Sequence, residues 1–119
     1  MSTSETTFYG RITISPNAIA TIASEVATQS YGVVGMASKN LVNGLANAIA
    51  RDPRHGVEVR TAGGQILIDI YVVVEYGTRL SSVTTSVANA VCYQVERAIG
   101  MPVAAVNVHV QDLRVSDRD

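Results

Sequence analysis

Tryptophan is absent from the 119 residues, phenylalanine occurs once and tyrosine five times. A core must therefore be assembled from Val, Ile, Leu and Ala. Cysteine is also single, at Cys92, which excludes an internal disulfide and fits a reducing compartment. Nine cations, of which only Lys39 is a lysine, face ten carboxylates, for a formal charge of −1. Such a balance gives no general electrostatic attraction to nucleic acid or anionic lipid. No apolar run reaches the ~20 residues needed to span a bilayer; the longest, from Ile66 to Val74, is broken by Asp69. The opening MSTSETTFYG has neither a basic start nor an apolar stretch. These features predict a cytoplasmic protein whose membrane association would run through a partner. Phosphate-binding glycine loops, C-x-x-C pairs and a serine nucleophile elbow are all missing.

What is present is organised around QILIDIYVVVEY, Gln65 to Tyr76. Its even positions, Ile66, Ile68, Ile70, Val72, Val74 and Tyr76, are all β-branched or aromatic. Side chains alternate faces along a strand, so one face is wholly apolar while the other carries Asp69 and Glu75. A long strand with one face on the core and a partly wet opposite face follows.

The rest of the chain supplies partners for that strand. Length and an apolar fraction of 47% fit one globular domain, which buries roughly two-thirds of its unfolded surface. We divide it into a flexible N-terminus (1–7), one α+β domain (8–113) and a charged tail (114–119). Phe8 to Ile14 reads as a short strand. Ser15-Pro16 reads as a helix start, with Ser able to cap free N–H groups and Pro losing nothing at the first position. The helix sets Ile19, Ile22, Ala23, Val26 and Ala27 on one stripe and ends near Tyr31-Gly32. Val33 to Ser38 reads as a strand, Leu41 to Ala50 as a short helix weakened by Gly44, and Arg51 to Gly56 as a charged loop. Val57, Val59 and Thr61 alternate with Glu58 and Arg60 up to an Ala62-Gly63-Gly64 hairpin turn. Gly77 ends the long strand. Ser81 or Ser82 then caps a helix to Ile99 with the stripe Val83, Val87, Ala90, Val91, Val95, Ala98 and Ile99. Val106, Val108 and Val110 form the last strand. The order β-α-β-(short α)-β-β-α-β predicts a two-layer α+β fold: a mixed sheet with two long helices on one face, close to a ferredoxin-like plan.

No residue is assigned a catalytic, cofactor-binding or metal-binding role. His55 lacks a neighbouring ligand, and Cys92 reads as a small buried hydrophobe. Asp69 and Glu75 would lie about 20 Å apart along a strand, beyond paired-carboxylate chemistry. Gly32-Val33-Val34-Gly35 resembles a phosphate-clamping G-x-x-G loop but has valines where basic or polar side chains would help. Two surfaces remain. One is the polar sheet face, with Asp69, Tyr71, Val73, Glu75, Asn107, His109 and Gln111 as partner-docking residues. The other is the basic cluster Arg51, Arg54, His55 and Arg60, which would meet an anion or an acidic partner.

Four segments in order resemble one family. They are YGRITISP (Tyr9–Pro16), GVVGM (Gly32–Met36), IDIYVVVEYG (Ile68–Gly77) and VNVHVQ (Val106–Gln111). Together they are similar to the alkaline-shock, Gls-type envelope stress response proteins over about residues 8 to 113. The resemblance implies a bacterial cytoplasmic protein of cell-envelope stress, non-enzymatic, without cofactor, self-associating or docked to a membrane-anchored partner or a paralogue. It carries over no catalytic residues. Asp52-Pro53, where members tend to be Lys- and Gly-rich, and the Ser/Thr-rich Ser81 to Ser86 depart from the pattern at surface positions. The alternative function is a small ligand- or RNA-binding module using the Arg51–Arg60 basic region.

Overall fold

The structure is a computed structural model and describes residues 3–7, 10–37 and 56–115. Eight elements follow in order: β1 (Thr3–Thr7), β2 (Gly10–Ile14), α1 (Pro16–Thr28), β3 (Val33–Met36), β4 (Val57–Ala62), β5 (Gln65–Glu75), α2 (Leu80–Ile99) and β6 (Ala105–Arg114). The short helix anticipated from Leu41 to Ala50, and the loop residues Arg51, Arg54 and His55, lie outside the described residues.

The long strand β5 is the axis of the main sheet, and all its neighbours pair with it. β4 runs antiparallel along its first half, from Ala62 opposite Gln65 to Val57 opposite Ile70. β3 runs antiparallel along its end, with Met36 opposite Val72 and Val33 opposite Val74. β6 runs parallel along Leu67 to Glu75 and must therefore occupy the other edge. The sheet is thus only three strands wide, with β3 and β4 end to end on one side. They meet at Tyr71, whose carbonyl accepts from the Ala37 N–H (2.9 Å) and whose N–H donates to the Gly56 carbonyl (2.8 Å). Gly56 has φ +83, and a Cβ there would sit 2.9 Å from the Ala37 oxygen and 3.1 Å from the Tyr71 oxygen. Only glycine fits that junction. The Gly63-Gly64 turn, with φ +59 and +79, closes the β4–β5 hairpin as the sequence predicts.

Ile66, Ile68, Ile70, Val72 and Val74 of β5 are all fully buried beneath the two helices. Each contributes roughly 1.5–3 kcal/mol by leaving water. α1 begins where Ser15 caps it, its Oγ accepting from the Ala18 N–H at 3.2 Å, with Pro16 in the first helical position. It buries Ile19, Ala20, Ala23 and Ala27. α2 buries a valine at every fourth residue, Val83, Val87, Val91 and Val95. Its Ser, Thr and Val residues are poor helix formers, so this packing holds it.

The two helices on one face and the parallel β5–α2–β6 crossover agree with the sequence reading; five details differ. First, Thr3–Thr7 form a strand, adding an element to the order read from the sequence. β1 and β2 pair as a separate two-stranded sheet, so β2 does not join the main one. A backbone ladder needs no apolar side chains, which is why the Ser/Thr-rich segment gave no signal. Second, β5 stops at Glu75, and Tyr76 is exposed rather than on the core face. Third, α2 starts at Leu80 with Arg79 as its cap and no side-chain cap bond, so neither Ser81 nor Ser82 caps it. The backbone turn at Thr78, where its hydroxyl donates to the Glu75 carbonyl (2.7 Å), sets the earlier start. Fourth, Ala98 faces solvent, because a strict four-residue valine spacing leaves it off the stripe. Fifth, β6 carries a register shift, with Val110 opposite Val72 but Asp112 opposite Val73.

Candidate functional site

The face of β5 turned away from the helices carries Leu67, Asp69, Tyr71, Val73 and Glu75. Register brings the neighbours into line. Asp69 lies opposite Glu58 on β4 and Asn107 on β6, and Tyr71 lies opposite His109. Diagonal reach does the rest.

Asp69 is the centre of this face. It is the one buried charged side chain among the described residues, 7% exposed. Arg60 reaches across from β4 and donates both Nε (3.2 Å) and Nη2 (2.7 Å) to Oδ2. On the β6 side, Asn107 Nδ2 donates to Oδ1 at 3.2 Å, and His109 Nε2 lies 3.2 Å from the same oxygen. Burial pushes the carboxyl up, but the hydrogen bonds with His109, Arg60 and Asn107 and the charge of Arg60 outweigh it. The group is left below its ordinary value. Tyr71 completes the cluster by stacking on His109, with centroids 4.6 Å apart and planes 14° apart.

Chemically this arrangement holds a charge in place. A carboxylate held below its usual range is a poor proton donor and a weak base at neutral pH. Among the described residues, no group of three or more His, Cys, Asp or Glu side chains is placed to hold a metal. Cys92 has a free thiol, pushed up by burial and by the charge and hydrogen bond of Glu96, the reverse of an activated nucleophile.

The residues assigned to docking from sequence divide accordingly. Asp69 sits under the cluster rather than on a wet face. Tyr71, Val73 and Glu75 are half-buried, and Asn107 and His109 are exposed. Gln111 has no cross-strand partner at the β6 register shift and does not continue the Asn107–His109 row. Of the basic cluster, Arg60 is described, and it is committed to Asp69. Its place was legible in principle: a hairpin closed at Ala62 and Gln65 puts Arg60 opposite Leu67, diagonal to Asp69. A second feature had no sequence signal. A groove of about 440 Å³ runs between α2 and β6, lined by Thr84, Thr85, Ala88 and β6 residues Val106 to His109.

The fold and its open face define a small helix-backed sheet domain whose polar centre is occupied by internal ion pairing. The model of the ASP23 family, of cell envelope-related function, matches residues 4–115, and the chain belongs to that family. The chain is 44% identical to the uncharacterized protein YloU of Bacillus subtilis (strain 168), over 98% of this chain and 99% of that protein. It is 34% identical to the uncharacterized protein Spy1614 of Streptococcus pyogenes serotype M6, over 89% of each. Among solved structures, the copper form of the MamM CTD superposes with a TM-score of 0.50 at 17% identity. That match covers 86% of this chain and 90% of that one, a likeness of fold alone. No described helix is long and apolar enough to cross a membrane.

Proposed function

We propose that this chain is a non-enzymatic interaction module of the cell envelope whose open sheet face docks a protein partner, one held at the membrane by its own anchor. The observation that carries the reading is the Tyr71–His109 stack over a fully engaged Asp69. The pair sets two stacked rings beside half-buried Val73. The charge beneath it is neutralised, so a partner can cover the face without stranding a bare carboxylate. The family's cell envelope-related function supports the setting.

A photo-crosslinking side chain placed at Val73 tests the reading in cells. The expected result is a discrete membrane-fraction adduct that disappears with Tyr71→Ala, while the same crosslinker at exposed Ser86 on α2 gives none. Equal adducts from both positions, or none from either, would overturn it. Of the basic region behind the alternative RNA- or ligand-binding role, Arg60 alone lies among the described residues, and there it pairs with Asp69.

A further inference from the structure

Among the described residues, two parts of the molecule lack a strand partner on one side. The first is the outer edge of β6. Among the described residues β6 pairs with β5 alone, so no described strand covers its other edge. The second is the β1–β2 hairpin. Among the described residues its strands pair only with each other. Thr13 is exposed, and Ile14, at the very end of β2, reaches the core. Free edges of this kind are templates for strand addition.

We infer that the outer edge of β6 receives the β1–β2 hairpin of a second copy of this chain, in a reciprocal exchange. This deepens the interaction reading above by naming a partner at the adjoining edge, which shares Asn107 and His109 with the docking face. The groove between α2 and β6 is the slot. Its floor is the edge at Val106 to His109, and its wall is the short side chains of Thr84, Thr85 and Ala88. The groove is shallow and open to solvent, and no carboxylate or guanidinium lines it. β2, with five residues, spans about 17 Å, longer than the about 13 Å of Val106 to His109, so the guest runs past the groove along the ten-residue β6 edge.

The chain's own hairpin does not occupy the groove: β1 and β2 pair as a separate two-stranded sheet, joined to α1 through Ser15 alone. Two hairpins and two β6 edges satisfy one another about a twofold axis, which closes the assembly as a dimer.

The test uses the full chain with Cys92→Ala. One batch carries a spin label at Thr6→Cys and another at Asp112→Cys. On mixing, the expected result is an intermolecular distance below about 25 Å, since β1 would lie two strand spacings, ~10 Å, from β6. Ala88→Arg, which fills the groove, should weaken dimerisation at least about tenfold, and Thr13→Pro should do the same from the guest side. A chain that stays monomeric up to about 0.5 mM overturns the inference. So does a dimer lacking the short distance, or one indifferent to both substitutions. A monomer that still crosslinks through Val73 would refute the exchange and leave the docking face standing.

Discussion

Tyr71 and His109 face each other across the parallel strands β5 and β6, and their rings stack 4.6 Å apart at 14°. The same His109 touches Asp69, two residues back along β5. Aromatic contact and ion pairing are therefore one unit.

Removing the centre of that unit tests its worth. Asp69→Ala strips the partner from Arg60, Asn107 and His109 at once. Arg60 and His109 are half-exposed, with side chains 52% and 43% accessible, and can rehydrate. The cost is accordingly about 2 kcal/mol, read by urea unfolding. A loss below about 0.5 kcal/mol would mean that the cluster contributes nothing to the fold.

Acid should expose the same group. The folded carboxyl lies below its ordinary value of 3.8, so its contribution is complete above that value. It is lost as pH falls through the folded one. Asp69→Asn should flatten the acid limb of a stability–pH curve relative to the parent chain. Superimposable acid limbs would contradict the depressed value.

The two faces of β5 differ in what they tolerate. Val72→Asp puts an unpaired charge where the side chain is fully buried, at a cost of several kcal/mol. Glu75→Gln, on the half-buried opposite face of β5, should change stability by under ~1 kcal/mol. Thermal melts decide; equal midpoints would invert the facing of the strand.

Gly56→Ala should cost roughly 2 kcal/mol or more, through the left-handed backbone and the crowding by Ala37 and Tyr71 oxygens. Gly63→Ala, also left-handed but in open space, should cost only about 1 kcal/mol. The difference, measured by denaturant midpoint, isolates the β3–β4 junction.

Cys92 should react slowly with a thiol reagent near neutral pH. Glu96→Gln removes the carboxylate charge that helps raise it and should speed the reaction; unchanged rates would remove Glu96 as a cause.

By itself the sequence determined the elements with strong periodicity. The β5 alternation, the helix stripes of α1 and α2 and the Gly63-Gly64 turn are local patterns, and each reports its own buried face. It also determined that Asp69 and His109 lie off the core face. Only the tertiary structure decided what those residues do. Whether Asp69 was wet or enclosed depended on Arg60 arriving from β4 and on Asn107 and His109 arriving from β6, 38 and 40 residues along the chain. Which strand borders β5, where β6 slips register after Val110, and the departure of β2 from the main sheet are likewise matters of pairing between distant segments. Backbone ladders accept almost any side chain, so strand order leaves little trace in composition. Pairing between segments far apart in the chain decides it.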